Sequence, residues 1–209
     1  GSQLIALLCD AKPGMNVVDY CAGAGGKTLA LAASMGRSGK VVGRLTACDI
    51  SKPRLDRLRP RLKRAGVTSV ICQTINAHED CWVAEKAGTL ERVLVDVPCT
   101  GMGTWRRDPN IKWLITPTDL KELINLQRRI LTNAASMLRP GGKLIYATCS
   151  LLREENEYQV NWFLGRHSSF RPIPINKVWA ETITSKPPTS SPNLRLSPAT
   201  TETDGFFCA

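Results

Sequence analysis

Short apolar runs alternate with stretches of helical periodicity along most of the chain. The apolar runs have the length of strands and cover residues 16–21, 41–48, 70–75, 92–97 and 143–148. Apolar positions at helical spacing fill the stretches between and after them, at residues 27–34, 51–65, 117–138 and 153–165. This alternation predicts an α/β fold, a doubly wound and mostly parallel sheet with helices on both faces.

Local signals refine the ends of these elements. Ser51 is a plausible cap for the second helix, and Pro60 is expected to kink or shorten it. Residues 139–142 should stop the helix before the fifth strand. The Ser-, Thr- and Pro-rich stretch 182–201 predicts a long loop, and residues 204–209 resemble the beginning of a last strand, cut short. Gly1-Ser2 is either a tag remnant or the native start of an amphipathic helix through Leu8.

Two cysteines follow apolar runs that both read as parallel strands. Cys99 closes the run that begins at Arg92, and Cys149 closes the run that begins at Lys143. The carboxyl ends of parallel strands meet at the edge where such sheets bind ligands, so both thiols should emerge there. Two thiols over one crevice suggest covalent chemistry on an electrophilic ring carbon.

Composition sets the broad class. A length of 209 residues with 43% hydrophobic content fits one domain with a substantial core. No apolar run approaches the roughly 20 residues of a membrane span, so we expect a soluble, cytoplasmic protein. The eight cysteines form no CxxC pair and there are two histidines, which argues against a metal site. We expect the six cysteines other than Cys99 and Cys149 to be reduced, buried and inert.

The net charge of +10 is concentrated in one part of the chain. Ten basic residues lie between Arg37 and Arg64, against Asp49 and Asp56. Such a stretch favours polyanions through neutralisation of phosphates, although a solvated helix face accounts for the charge equally well. The other residues of the candidate site favour nucleic acid as the reason for this charge.

A glycine-rich turn follows the first predicted strand. It reads Gly23-Ala24-Gly25-Gly26, short of the full GxGxxG pattern, and it lets the backbone approach a ligand closely. Asp49 ends the second strand, where a carboxylate can accept hydrogen bonds from ribose hydroxyls, and Asp19 lies near the same turn. The pattern suggests an adenosine-type ligand and leaves NAD, S-adenosylmethionine and a turn without ligand open.

Four segments together resemble one family of enzymes. They are Asp19–Thr28, Asp96–Thr104 with its continuation to Trp113, Ala147–Ser150 followed by Glu154–Glu157, and the terminal Asp204–Phe207. They are similar to the cofactor motif, the DxPC motif with its loop, the TCS motif and the carboxyl-terminal motif of the Nop/Sun RNA (cytosine-5) methyltransferases. The resemblance covers nearly the whole chain, and its bacterial ribosomal-RNA branch is the nearest.

The resemblance implies a class I methyltransferase fold, with one antiparallel strand in seven and S-adenosylmethionine at the carboxyl edge. It implies a single catalytic domain over residues 1–209, monomeric and acting on RNA, without the amino-terminal RNA-binding region usual in the family. The implied cofactor-binding residues are Cys21, Ala22, Gly23, Ala24, Gly25, Gly26, Lys27, Asp49, Arg54, Asn76 and Asp96. Asn76 departs from the aspartate frequent at its position, and the body of the last strand is expected to be missing after Ala209.

The chemistry of C5 methylation explains why two thiols are needed. A thiolate that adds to C6 of cytosine makes C5 nucleophilic, and C5 then accepts the methyl group. The resemblance gives Cys149 as the nucleophile and Cys99 as the residue that assists product release; the reverse assignment is the alternative. Asp96 is a candidate for hydrogen bonds to N3 and the exocyclic amine. Lys27 either reaches toward the target cytidine or faces solvent.

The loop after Cys99 carries the candidate RNA contacts Trp105, Arg106, Arg107 and Lys112. Aromatic and basic side chains together suit an unstacked base and its phosphates, and we expect one of the two loop tryptophans to pack against the sheet instead. The substrate is expected to be a loop or an extruded base, in ribosomal RNA by resemblance, with transfer RNA as the alternative. We expect surface or capping roles for His78 and His167. We expect a role at the start of a helix for Glu154, Glu155 and Glu157.

Two other functions compete with this prediction. A methyltransferase that acts on a protein or small molecule needs neither paired thiols nor a basic face. A scaffold that binds RNA without catalysis needs the fold but not Asp96, Cys99 and Cys149. Because the chain has all of these features, RNA methylation is the leading hypothesis.

Overall fold

A computed structural model describes residues 1–37, 40–76 and 80–209 of the chain. The helices are α1 Ser2–Leu8, α2 Gly26–Met35, α3 Lys52–Arg64, α4 Cys81–Glu85, α5 Ile111–Leu114, α6 Pro117–Met137, α7 Glu157–Arg166, α8 Ile175–Thr182 and α9 Pro198–Thr201. The strands are β1 Asn16–Asp19, β2 Gly36–Arg37, β3 Lys40–Val41, β4 Arg44–Asp49, β5 Val70–Thr74, β6 Leu90–Asp96, β7 Leu138–Thr148, β8 Leu194–Leu196 and β9 Phe206–Cys208. His78 lies outside the described residues.

Seven strands form one mixed sheet in the order β5-β4-β1-β6-β7-β9-β8. Strand β1 is parallel to both β4 and β6, and β4 is parallel to β5. Strand β9 is antiparallel to both of its neighbours, β7 and β8. The chain runs outward from β1 to β5 and then returns to β6, which places a topological switch point next to β1. This is the predicted class I methyltransferase fold, with helices flanking a mostly parallel sheet.

The chain divides into two compact units. The first unit contains residues 2–96 and 133–145, and the second contains residue 1 with residues 97–132 and 146–209. The first unit holds the parallel strands β1, β4, β5 and β6, and the second holds β8, β9 and most of the long helix α6. Within the described residues, no helix is both long and apolar enough to cross a membrane.

Helix α3 shows how its apolar pattern outweighs an internal proline. Leu55, Leu58 and Leu62 are buried as their spacing predicts, but the helix continues past Pro60 to Arg64, so the predicted shortening is wrong. Proline removes the hydrogen bond to the carbonyl of Asp56, and both residues are exposed, so water can hydrate that oxygen. Ser51 precedes the helix as predicted, although its side chain makes no capping hydrogen bond.

Two strand predictions need correction. The run at residues 41–48 is interrupted at Gly43, whose φ of 101° ends β3 before β4 begins. The stretch predicted as a long loop contains the last residue of α8, all of β8 and all of α9. Strand β8 pairs from Leu194 to Leu196 with β9, and the apolar Leu194 and Leu196 are buried. A three-residue strand is too short to show periodicity, which explains why the sequence did not reveal it.

The last strand is short but paired on both sides. Phe207 and Cys208 face Thr148 and Ala147 of β7, and Ala209 exchanges two backbone hydrogen bonds with Tyr146. Phe207 is fully buried. The pairing therefore covers the carboxyl end of β7, directly before Cys149, and fixes the strand that leads into that residue.

Candidate functional site

Three neighbouring parallel strands of the first unit each end in an aspartate. Asp19 ends β1, Asp49 ends β4 and Asp96 ends β6. The register pairs Asp19 with Ala47 of β4 and with Leu94 of β6, so the three carboxylates lie along one edge of the sheet. Asp19 and Asp49 are 0% and 5% exposed. Buried carboxylates at a carboxyl edge are costly unless they are bound, which marks this edge as a candidate ligand site.

The glycine turn is held against this edge by Asp49. The Gly23 N–H donates to Asp49 Oδ2 at 2.8 Å, and the Ser51 N–H donates to Oδ1 at 2.8 Å. Gly25 has a φ of 80°, and a Cβ there would meet Leu58, with Cγ at 2.8 Å, so this position requires glycine. The ribose contact of Asp49 stays a prediction, and the structure shows that its carboxylate orders the turn itself.

Asp19 is the most unusual carboxylate of the edge. Its Oδ2 accepts a hydrogen bond from the Thr28 hydroxyl at 2.6 Å, whereas buried Oδ1 has no partner among the described residues. Burial raises the pKa of Asp19 to about 7, with Asp96 and Asp49 adding to the increase and Thr28 and Lys27 opposing it. An orphaned oxygen in a buried carboxylate beside an open glycine turn indicates a polar or cationic ligand.

The raised pKa of Asp19 predicts a pH-dependent stability. Unfolded Asp19 ionises near pH 4, whereas the folded group keeps its proton up to about pH 7. The stabilisation is therefore complete below pH 4 and is lost as pH rises through 7. Relative to Asp19→Asn, the wild-type free energy of unfolding should fall by a few kcal/mol between pH 4 and pH 7.5 in urea titrations. Parallel pH profiles for the two proteins would contradict this.

Lys27 is buried against Asp96. Its Nζ lies 2.5 Å from Asp96 Oδ2, and its side chain is 8% exposed, against 30% for Asp96. The alternative in which Lys27 faces solvent is therefore wrong. The sequence favours burial only weakly, because a lysine in the first turn of a helix is usually solvated. The partly exposed carboxylate of Asp96 retains one oxygen for another donor.

The remaining predicted cofactor residues of this unit lie around the turn. Ala22 is buried, its N–H donating to Cys48 O. Ala24 is exposed, and its carbonyl accepts a hydrogen bond from Arg61. Burial raises the pKa of the Cys21 thiol well above its usual value, and the charges of Asp19, Asp96 and Asp49 add to the increase. Arg54 is exposed, and its positive charge opposes this rise.

Gly26 and Asn76 are the two other predicted cofactor residues of this unit. Gly26 begins α2, and a Cβ at that position would meet nothing within 4 Å, so the turn faces open space there. Asn76 is exposed, and its backbone N–H donates to the Asp80 carboxylate at the start of α4. Asp80 also accepts a hydrogen bond from the Trp82 N–H, and this double contact was not evident from the sequence.

The second unit brings the two predicted cysteines together. Cys99 Sγ and Cys149 Sγ lie 3.5 Å apart, although 50 residues separate them in the chain. The contact with Cys149 and burial raise the pKa of the Cys99 thiol well above its usual value, and the Glu155 charge adds to the increase. The raised pKa favours the thiol form of Cys99, and either sulfur can be the donor in this contact.

Glu155 anchors the backbone that carries Cys99. Its side chain is fully buried and accepts hydrogen bonds from Thr100 N at 2.9 Å, Thr100 Oγ1 at 2.6 Å and Gln127 Nε2 at 3.0 Å. Gln127 also donates to the Pro98 carbonyl at 3.0 Å. The prediction that Glu155 serves a helix start is wrong, because its carboxylate instead fixes the residues on both sides of Cys99.

Asn156 braces the residues around Cys149 in the same way. Its Oδ1 accepts a hydrogen bond from Thr148 Oγ1 at 2.6 Å, and its Nδ2 donates to the Ser150 carbonyl at 3.0 Å. All three side chains are fully buried. The adjacent Glu155 and Asn156 thus hold the two cysteine segments, and only their place after the TCS motif could have indicated this.

Gly103 allows three segments to meet at Cys149. Its N–H donates to the Cys149 carbonyl at 2.8 Å, and its own carbonyl accepts from Gly205 N at 2.8 Å. A Cβ on Gly103 would lie 2.6 Å from Gly205 Cα and 2.7 Å from the Cys149 oxygen. The terminal Asp204-Gly205 segment is therefore part of the support of Cys149.

Adding one methyl group at this contact should disrupt the site. Because the neighbouring atoms are backbone and cannot rotate away, Gly103→Ala should destabilise the chain by about 1–3 kcal/mol. Thermal unfolding checks this value. Gly165→Ala is the matched control, since a Cβ at Gly165 meets nothing within 4 Å and helix α7 should gain slightly from alanine. Equal melting temperatures for the Gly103 variant and the wild type would contradict the close contact.

Arg106 and Arg107 have a partner that the sequence did not indicate. Arg106 Nε lies 2.5 Å from Asp204 Oδ1, and Arg107 Nη2 lies 2.6 Å from Oδ2. Asp204 is 4% exposed, while the two arginine side chains are 56% and 73% exposed. The pair therefore ties the loop to the carboxyl-terminal segment and leaves part of each guanidinium accessible.

The two loop tryptophans differ in exposure. Trp105 is partly buried, and its Nε1 is buried without a partner in the described part of the chain. Trp113 is 79% exposed on α5, with Lys112 Nζ 4.9 Å from its ring centroid and Leu114 72% exposed beside it. Trp113 and Lys112 therefore offer the accessible aromatic and basic surface, whereas Trp105 mainly packs.

No group of three or more His, Cys, Asp or Glu side chains within residues 1–37, 40–76 and 80–209 could hold a metal ion. His167 ends α7 and stacks on Phe163 with ring centroids 4.3 Å apart. The chemistry-bearing groups described by the structure are thus the carboxylate edge of the first unit and the thiol pair of the second.

Comparisons with known proteins agree with these features. The family described as 16S rRNA methyltransferase RsmB/F matches residues 6–209. Ribosomal RNA small subunit methyltransferase B of Pectobacterium atrosepticum is 34% identical over 96% of this chain and 42% of its own length. The protein of the same name from Salmonella arizonae is 37% identical over 94% of this chain and 42% of its own length.

A solved structure is similar over the whole chain. The crystal structure of NSun6 from Pyrococcus horikoshii with SFG covers 100% of this chain and 50% of its own, with 27% identity and a TM-score of 0.81. The chain spans less than half the length of the curated relatives it matches.

Proposed function

Because the chain belongs to the RsmB/F family of 16S rRNA methyltransferases, we propose that it transfers a methyl group from S-adenosylmethionine to C5 of a cytidine in ribosomal RNA. The observation that carries this proposal is the pair of thiols, Cys99 Sγ and Cys149 Sγ, at 3.5 Å. Methylation of an oxygen or an amine needs no thiol, whereas C5 of a pyrimidine is a poor nucleophile until a thiolate has added to C6.

The carboxylate edge of the first unit fits S-adenosylmethionine. When bound, this cofactor supplies an electrophilic methyl group on a sulfonium ion. The buried Oδ1 of Asp19 has no partner among the described residues and suits the cofactor's ammonium group, and Asp49 suits a ribose hydroxyl. The turn at Gly23 and Gly26 leaves open space for the ligand. Asn76 can accept a hydrogen bond from an adenine amino group through its amide oxygen.

The thiol pair of the second unit provides the covalent step. In this proposal the Cys149 thiolate adds to C6 of cytosine, and the electrons displaced toward C5 would form the bond to the methyl carbon as its bond to the cofactor sulfur breaks and leaves a neutral thioether. C5 then loses its proton to water, and those electrons restore the C5–C6 double bond as the C6–S bond breaks. The nucleophile must be the thiolate. The TCS motif of the family, which residues 147–150 resemble, gives that role to Cys149, and the sulfur–sulfur distance of 3.5 Å supports Cys99 as the partner that assists release. A neutral Cys99 can protonate the departing sulfur.

Asp96 and Lys27 act on the base in the same proposal. The exposed part of the Asp96 carboxylate accepts hydrogen bonds from protonated N3 and the exocyclic amine, which makes C6 more electrophilic. Lys27 Nζ, 2.5 Å from Oδ2 of this carboxylate, holds it in its orientation. Lys27 is thus a positioning residue, which acts on the cytidine only by orienting Asp96.

The loop of the second unit supplies the contacts for an unstacked nucleotide. Exposed Trp113 suits stacking with a base, and Lys112 suits its phosphate. Arg106 and Arg107 hold the loop through Asp204, and their accessible guanidinium edges add positive charge.

Nucleoside analysis tests the proposed reaction. The 209-residue chain is incubated in excess with 16S ribosomal RNA and methyl-labelled S-adenosylmethionine, and the RNA is digested and separated by mass spectrometry. We expect labelled 5-methylcytidine with the wild type and none with Cys149→Ala. Label in any other nucleoside would refute C5 chemistry. Cofactor binding in calorimetry without label in RNA would favour a protein or small-molecule substrate, and no cofactor binding would favour a scaffold.

A further inference from the structure

Helix α3 divides its seven basic residues between two faces. Leu55, Leu58 and Leu62 point to the core, and cationic side chains lie on either side of them. One face carries Lys52, Arg59 and Lys63 together with Asp56. The other carries four arginines at intervals of three, four and three residues, which places them in one row along the helix. This arginine row consists of Arg54, Arg57, Arg61 and Arg64.

The two faces differ in how their charge is used. Asp56 lies 2.8 Å from Lys52 Nζ and 3.5 Å from Arg59 Nε, so the first face is partly neutralised on the helix itself. Within the described residues, no carboxylate lies within ion-pair distance of Arg54, Arg57 or Arg64. These three side chains are exposed. The arginine row is therefore a strip of uncompensated positive charge.

The arginine row borders the glycine turn. Arg61 Nη1 donates to the Ala24 carbonyl at 2.5 Å, and the charge of Arg54 acts on Cys21 at the start of the turn. Arg57 and Arg64 continue the same row along the helix. A phosphate chain bound along the row would pass next to the cofactor-binding turn.

We propose that the arginine row binds the phosphate backbone of the substrate RNA. This rests on the proposed function and adds a second RNA contact, in the first unit, to the loop of the second. The row extends over eleven residues of helix, whose ten steps span about 15 Å. At about 3.4 Å per phosphate in a stacked strand, this length matches about four consecutive nucleotides. Guanidinium groups suit this role because they bind phosphate oxygens in pairs.

Two double variants of α3 test the row with equal changes of charge. Arg57→Gln/Arg64→Gln removes two charges from the row and spares Arg54 and Arg61, which border the cofactor turn. Arg59→Gln/Lys63→Gln removes two charges from the opposite face. Fluorescence anisotropy with a labelled single-stranded fragment of 16S ribosomal RNA gives the Kd of each protein between 50 and 300 mM salt. Titration calorimetry with S-adenosylmethionine is run on the same samples.

The row variant should bind the RNA about tenfold more weakly at 0.1 M salt, and the slope of log Kd against log salt should fall by about 1.4. The opposite-face variant should change Kd by no more than about twofold. Equal losses in the two variants, or a wild-type chain without affinity for the RNA, would overturn the inference. Failure of all three proteins to bind S-adenosylmethionine would instead refute the proposed function, and the anisotropy result would still decide the row.

Discussion

Replacing Cys99 with alanine is expected to leave the chain covalently attached to its RNA after methyl transfer. The Cys149 sulfur can still add to C6, but it loses the neutral thiol at 3.5 Å that assists its departure. Turnover should fall about 100-fold or more, the scale of general acid–base assistance. A denaturing gel of Cys99→Ala with labelled ribosomal RNA and S-adenosylmethionine should show a slow-migrating adduct.

The matched variants decide which thiol attacks. Cys149→Ala should form no adduct and should lose at least about 10³-fold in methyl transfer, because the proposed reaction begins with the Cys149 thiolate. The Cys99→Ala/Cys149→Ala protein should also form none. An adduct with Cys149→Ala and none with Cys99→Ala would exchange the two roles. Cys208→Ala serves as a control for cysteine loss, since Cys208 is buried in β9.

Glu155→Gln is expected to damage the thiol site without touching either cysteine. The amide oxygen can take the place of Oε1, which accepts from Thr100 N and Gln127 Nε2, but the amide NH2 then takes the place of Oε2 and cannot accept the hydrogen bond from Thr100 Oγ1. We expect the free energy of unfolding to fall by about 2 kcal/mol. Methyl transfer should fall tenfold or more at a temperature where the variant is folded, because Cys99 is displaced.

Glu154→Gln is the control for that variant. The two glutamates are adjacent and the charge change is the same, but Glu154 is exposed and Glu155 is fully buried. Urea unfolding and initial rates of methylation should leave Glu154→Gln close to the wild type. If the two variants behave alike, Glu155 does not hold the Cys99 segment.

The sequence predicted the sheet because nearly every parallel strand is a clear apolar run and nearly every helix between these strands has apolar residues at helical spacing. Helix α6 begins at Pro117 and ends at Met137, within one residue of its predicted range. The same reasoning failed for α8 and β8, whose apolar positions are too few to establish a period. It also overestimated the effect of Pro60 on the length of α3. Helix propensity describes an isolated helix, whereas α3 is packed on the core through three buried leucines.

The candidate site was predicted as far as its residues lie at strand ends. Asp19, Asp49 and Asp96 end their strands, and Cys99 and Cys149 meet, as the carboxyl-edge rule requires. The sequence did not reveal partners that depend on three-dimensional contact. Examples are the Asp204 carboxylate on Arg106 and Arg107, and the buried Glu155 carboxylate on Thr100.

Release of hydrogen from C5 tests the central claim most directly. Ribosomal RNA carrying tritium at C5 of its cytidines is incubated with an excess of the chain and S-adenosylmethionine, and tritium in water is counted against methyl groups in RNA. Methylation at C5 predicts one tritium released per methyl group transferred, and neither with Cys149→Ala. Methyl transfer without release of tritium, or equal release by Cys149→Ala, would contradict the account.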